Sequence, residues 1–139
     1  MILTLALLAA LGVPLKAMPQ TGNACGPSGG HCVVLTWTDT ANPSHCNSSS
    51  VPACTLSYNV YQGTTPGGET YGSPVSAGLS ADTATIPVTL ATSSQTFYWT
   101  IEAVISQGGL VVNSAPSAEV TATFPALPAS PTGLAAVPH

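Results

Sequence analysis

The stretch Cys32-Val33-Val34-Leu35-Thr36-Trp37-Thr38 decides how the chain folds. Val33, Leu35 and Trp37 fall on one side of an extended backbone, and Cys32, Val34 and Thr36 on the other, because successive strand side chains point to opposite faces. The pattern recurs downstream. In residues 55–63 (TLSYNVYQG) Leu56, Tyr58 and Val60 share a face, and in residues 83–90 (TATIPVTL) Ala84, Ile86, Val88 and Leu90 do so. Pro87 points away from that second set; lacking an N–H, it places its strand at a sheet edge. Residues 96–105 (TFYWTIEAVI) bring Phe97, Trp99, Ile101 and Ala103 together, and residues 117–124 (SAEVTATF) bring Ala118, Val120, Ala122 and Phe124 together. Turn clusters such as TTPGGE (64–69) and SQGG (106–109) separate the runs. The expected core is therefore Val33, Leu35, Trp37, Tyr58, Val60, Ile86, Val88, Phe97, Trp99, Ile101 and Val120.

Composition agrees. A chain of 139 residues has room for one ordinary domain with short extensions. Its 13 Gly and 13 Pro, with few strong helix formers, favour strands and turns. One basic residue, Lys16, stands against five acidic ones, Asp39, Glu69, Asp82, Glu102 and Glu119, for a net charge of -4. Nothing here neutralises a phosphate backbone, so nucleic acid is excluded as a partner. So little charge also gives little colloidal repulsion, which favours association.

Four segments, CVVLTWT, YNVYQGTTPGG, FYWTIEAVISQGG and NSAPSAEVTATFP, together resemble, in order and spacing, the B, C, F and G strand motifs of bacterial fibronectin type III domains, from about Val33 to Pro125. The resemblance implies an all-β, immunoglobulin-like sandwich of about seven strands, with sheet A-B-E facing sheet C'-C-F-G, Trp37 in the core and Pro87 on edge strand E. Two departures stand out. Phe97 occupies the place of the family's corner tyrosine, removing that hydroxyl's hydrogen bond. The B-C connection is also enlarged, to DTANPSHCNSSSVPAC (39–54).

Three segments organise the chain: an apolar leader at 1–17, the sandwich at 18–125 and a strand-like tail at 126–139. The leader is apolar from Ile2 to Leu15; as a helix at ~1.5 Å per residue it reaches roughly 20 Å, short of the ~30 Å hydrocarbon layer. It therefore reads as an export signal cleaved after Ala17, touching the membrane only transiently, or as a segment buried in an assembly. The stretch VPLKAMPQ (13–20) is a loose candidate for strand A. In the tail, SPTGLAAVP (130–138) resembles the strand A that would begin a next repeat, with Pro131, Leu134 and Val137 as the expected assembly strand; a relic of a tandem array and an unstructured terminus are the plainer readings.

Cys25, Cys32, Cys46 and Cys54 allow three pairings. The local ones, Cys25 with Cys32 and Cys46 with Cys54, close short loops worth about 2.5 kcal/mol each on the chain-entropy model. With His31 and His45 these cysteines are also the one cluster of metal-ligand types, but their spacing departs from zinc motifs and disulfides are expected instead. No cofactor or metal is expected. A Ser/His/Asp triad through His31 or His45 and Asp39 lacks any nucleophile-elbow motif, and the glutamates read as solvated. Asn47-Ser48-Ser49 is a glycosylation sequon, meaningful only in a eukaryotic secretory host. Tyr61 and Tyr98, with Tyr71 and the Cys46–Cys54 loop, offer a binding surface opposite the core face, although such aromatics also serve as ordinary cross-strand pairs.

The expected function is a non-catalytic structural or adhesive module, secreted to an extracellular surface or carried on a virion. It would self-associate through its extensions or join a host surface or virion protein, as a subunit of a filament or particle. The alternative is a soluble monomer binding carbohydrate or protein.

Overall fold

The computed structural model describes residues 16–21, 25, 31–39, 46, 53–133 and 135–136. Residues 1–15 of the expected leader, His45, the sequon, and Leu134 and Val137 of the expected assembly strand lie outside the described residues. The described chain is all-β, with eight strands in order: β1 (Lys16–Thr21), β2 (His31–Thr36), β3 (Cys54–Gly63), β4 (Ser76–Leu79), β5 (Thr83–Val88), β6 (Gln95–Gln107), β7 (Leu110–Asn113) and β8 (Val120–Phe124). They form two antiparallel sheets. One has the order β1-β2-β5; the other runs β4-β3-β6, beyond which β7 and β8 pair with successive parts of β6.

The alternating runs of the sequence occupy β2, β3, β5, β6 and β8, and their apolar faces meet between the sheets. Val33, Leu35, Trp37, Ala84, Ile86 and Val88 come from one side; Tyr58, Val60, Phe97, Trp99, Ile101, Ala103, Ala122 and Phe124 come from the other. Val120 is partly buried and packs against this cluster. Trp37 meets Tyr58 edge-on at 5.3 Å between centroids, and Phe97 meets Phe124 edge-on at 5.9 Å, arrangements that suit the aromatic quadrupole. Phe97 thus spends its ring on the core where a tyrosine would also have offered a hydroxyl. Pro87 is exposed on β5, the outer strand of its sheet, opposite Cys32.

Local pattern does not reveal three of the strands fully. β1 begins at Lys16, pairing Lys16 with Thr36 and Ala17 with Leu35, so cleavage after Ala17 would take two residues from a paired strand. β4 holds one large apolar residue, Leu79, and β7 is apolar without alternation; both form because β3 and β6 offer them hydrogen-bonding edges. The G strand expected as one run is divided, with residues 114–119 between β7 and β8. Ser114 N–H donates to the Ala103 carbonyl and Ser117 N–H to the Ile101 carbonyl, both at 2.8 Å, which keeps this interruption fastened to β6.

Both local disulfides are formed, Cys25–Cys32 with a Cα separation of 5.4 Å and Cys46–Cys54 with 5.3 Å. The first ties the approach to β2 onto that strand, and the second ties the B-C connection to the start of β3. Two such bridges are consistent with an extracellular or secreted protein. Truncating the fully buried Trp99 to Ala should cost about 3–5 kcal/mol, and Leu35→Ala about 2–5 kcal/mol, in denaturant unfolding. A loss below ~1 kcal/mol at Trp99 would show that the two sheets do not close over it as described.

Candidate functional site

Side chains that alternate away from the core on β3 and β6 define the outer face of the larger sheet. There the connection between β3 and β4 folds back over the strands and converts what the sequence leaves open into a covered polar layer. Tyr61, expected on an open surface, is 3 % exposed. Its ring lies 5.0 Å from that of Tyr71, which comes from the connection, and its hydroxyl donates to Glu102 Oε2 at 3.0 Å. Asn113 Nδ2 donates to the same oxygen at 3.0 Å, and Tyr71 Oη shares a 3.2 Å hydrogen bond with Thr100 Oγ1. Tyr98 is half-buried and sits opposite Gly63 and Thr121, so Tyr61 takes Tyr71 as its ring partner.

The glutamates also depart from the expectation of solvated positions. Glu102 is 8 % exposed and Glu69 is 7 % exposed. Glu69 follows the turn at Gly67 and Gly68, where Gly67 has φ of 65° and a Cβ on Gly68 would collide with Thr65. That turn carries Glu69 toward Glu119, just before β8, and Gly67 N–H donates to Glu119 Oε2 at 2.7 Å. Both carboxyl oxygens of Glu69 lack a donor. Burial pushes its carboxyl above the ordinary value of 4.5, and the neighbouring Glu119 pushes it the same way. Burial likewise raises the Tyr61 hydroxyl above 10.0, with Glu102 adding to the effect, so Tyr61 acts as a neutral donor.

This layer clasps the connection to the sheet; it does not surround a cavity. A cleft lined by Trp37, Tyr58, Ile101, Ala103, Ser114, Ala115 and Ser117 has a volume of about 10 Å³, room for roughly one water. His31, the first residue of β2, and Asp39, three residues past its last, lie at opposite ends of that strand, and Asp39 Oδ2 accepts the Tyr58 hydroxyl at 3.0 Å, so among the described residues His31 and Asp39 are not brought together as a triad; His45 lies outside them. All four cysteines are consumed by disulfides. Among the described residues no group of three or more His, Cys, Asp or Glu is placed to hold a metal ion. No helix among the described residues is long and apolar enough to cross a membrane.

Another surface feature was not singled out from sequence. Every residue of β7 is exposed, including Leu110 at 67 %, Val111 at 64 % and Val112 at 38 %. The tail is exposed from Pro125 through Gly133 and at 135–136, with no strand there; among the described residues its last backbone hydrogen bond to the fold is Leu127 N–H to the Ala91 carbonyl at 3.1 Å. Comparison of the chain with protein-family models, curated proteins and solved structures finds no match.

Because the folded value of Glu69 is raised, its contribution to stability is complete below the ordinary value of 4.5 and is lost as pH rises through the folded value. The melting temperature should therefore fall over that window relative to Glu69→Gln, and the variant should be the more stable at neutral pH. Equal pH profiles would remove the buried carboxyl from this account. Tyr61→Phe, which leaves Glu102 short of one buried donor, should cost about 1–3 kcal/mol in chemical unfolding, against under ~0.5 kcal/mol for Tyr98→Phe.

Proposed function

We propose that this chain is a non-catalytic, fibronectin type III-like module that works as a structural or adhesive subunit at an extracellular surface or on a virion. The sheet orders β1-β2-β5 and β4-β3-β6-β7, with Trp37 buried and Pro87 on an outer strand, support the family reading. Two disulfides support an oxidising location. The assembling role is carried by one observation: past Leu127 the described residues, 128–133 and 135–136, are exposed and strand-free, and the tail sequence has no acidic residue, lysine or arginine while retaining the apolar spacing of a strand. Such a segment can add to a sheet edge through main-chain hydrogen bonds alone, without removing ions from water.

The second reading, a monomer that binds carbohydrate or protein, is supported by Tyr71, which is 48 % exposed beside the buried Tyr61 and presents a ring for stacking. Deletion of residues 128–139 separates the two. For an assembling subunit it should abolish self-association in sedimentation velocity while leaving the melting temperature within a few degrees, because Leu127, whose N–H is fastened to the Ala91 carbonyl, is kept. For a monomeric binder it should change neither size nor ligand affinity, whereas Tyr71→Ala should cost ~10-fold or more in affinity for a glycan, consistent with loss of a stacking contact of about 1.4 kcal/mol. Unchanged self-association after the deletion would remove the tail from the assembly.

A further inference from the structure

Five strands lie at the edges of the two sheets, β1 and β5 in one and β4, β7 and β8 in the other, and all but β7 either carry a feature that discourages pairing with another chain or lie beside a strand that does. β1 holds Pro19 and the cationic Lys16, and it lies against β8, so it also shields that part of the larger sheet. β5 carries Pro87. β4 has Gly78 in the left-handed region at φ 67°, and the register of its partner shifts between Tyr58 and Val60. β7 differs. Leu110-Val111-Val112-Asn113 contains no proline, charge or irregular register, and its three apolar side chains are exposed on both faces of the strand. The turn at Gly108 and Gly109, with φ of 59° and 82°, is a tight Gly-Gly hairpin that holds β7 beside β6 and leaves its outer side open to another strand.

The placement of the tail decides which molecule can reach this edge. β7 pairs with the last residues of β6, Val104 to Gln107, whereas Phe124, from which the tail departs, pairs with Gln95 at the first. Along β6, at ~3.3 Å per residue, the near end of β7, Asn113 opposite Val104, lies about 30 Å from Gln95, whereas the five steps from Leu127, which is fastened to Ala91, to Thr132 span about 17 Å when fully extended. Residues 132–137 of a molecule therefore fall short of its own β7. A second molecule stacked head to tail presents its β7 pole at the point where the first tail emerges.

Resting on the self-assembly reading above, we infer that β7 is the acceptor edge for the tail of a second copy, with residues 132–137 (TGLAAV) of one molecule adding as a strand beside Leu110–Asn113 of the next. This stretch lies between Pro131 and Pro138, so every residue in it has an N–H to donate. Neither segment carries a charged side chain, so their contact desolvates no ion. Donor and acceptor are different surfaces at opposite poles. The contact is heterologous, and repetition produces an open, polar filament instead of a closed pair.

Three preparations test this by sedimentation velocity: the full chain, the chain lacking residues 128–139, and the full-length Val111→Lys variant. The first should sediment as polymer and the other two as monomer. Mixing the latter two should restore a one-to-one dimer and nothing larger, because one supplies only an acceptor and the other only a tail. A synthetic peptide of residues 128–139 added to the tail-deleted protein keeps the test independent of how Val111→Lys folds. It should shift the backbone amide resonances of residues 110–113 and leave those of β4 and β5 unchanged. If deletion dissolves the polymer but Val111→Lys does not, or the peptide shifts another edge, the acceptor is elsewhere and this inference fails while the assembly reading stands. If the full chain is monomeric, or deletion leaves the polymer intact, the assembly reading itself fails.

Discussion

The hydrogen-bonding capacity of β6 is the constraint on which the rest of the structure depends. Buried backbone N–H and C=O groups must be paired, and over residues 95–107 this strand meets that demand by pairing with β3 on one side and with β7 and then β8 on the other. One face of β6 supplies Phe97, Trp99, Ile101 and Ala103 to the core. The other supplies Thr100 and Glu102 to the polar layer. The Trp99 indole N–H donates to Gln62 Oε1 at 3.0 Å, so the largest fully buried side chain is also oriented by a specific bond to β3. The interruption between β7 and β8 is tolerated because Ser114 and Ser117 bind to β6 through both main chain and side chain, Ser117 Oγ accepting from Ile101 N–H and Ser114 Oγ from Ala103 N–H.

A chain with so few charges places three of its five acidic side chains on a single sheet face. Glu102 is stable there because Tyr61 and Asn113 both donate to it, matching a buried acceptor with two donors. Glu69 has no such partners, and its environment favours the proton over the charge. The two buried glutamates therefore do different work: Glu102 organises donors from β3 and the end of β7, and Glu69 makes the fastening of the β3–β4 connection sensitive to pH. Neither arrangement surrounds a space for a substrate.

The surface left over is unusual in where its apolar groups fall. Low charge removes the like-charge repulsion that keeps many small domains apart, while proline, lysine or an irregular register guards the edges of β1, β4 and β5. An unguarded β7 at one pole and the exposed residues that follow Leu127 at the other give the described part of the molecule a direction. In the proposed assembly that polarity would give head-to-tail contact, whereas a two-fold pair would need one surface to complement itself.

By itself, the sequence determined the all-β class of the fold and most of the membership of the core. Alternation is a local property, so Val33, Leu35 and Trp37, or Phe97, Trp99 and Ile101, declare a shared face without knowledge of any distant residue. Close cysteines likewise announce short loops. Tertiary structure alone decided that Tyr61 is covered and that Glu69 meets Glu119, because the path of the turn at Gly67 and Gly68 brings together residues far apart in sequence. It also made strands of β4 and β7, whose residues form them by completing the edges of β3 and β6. Side-chain pattern is written residue by residue, but burial on an outer face and the openness of an edge depend on what the rest of the chain places beside them.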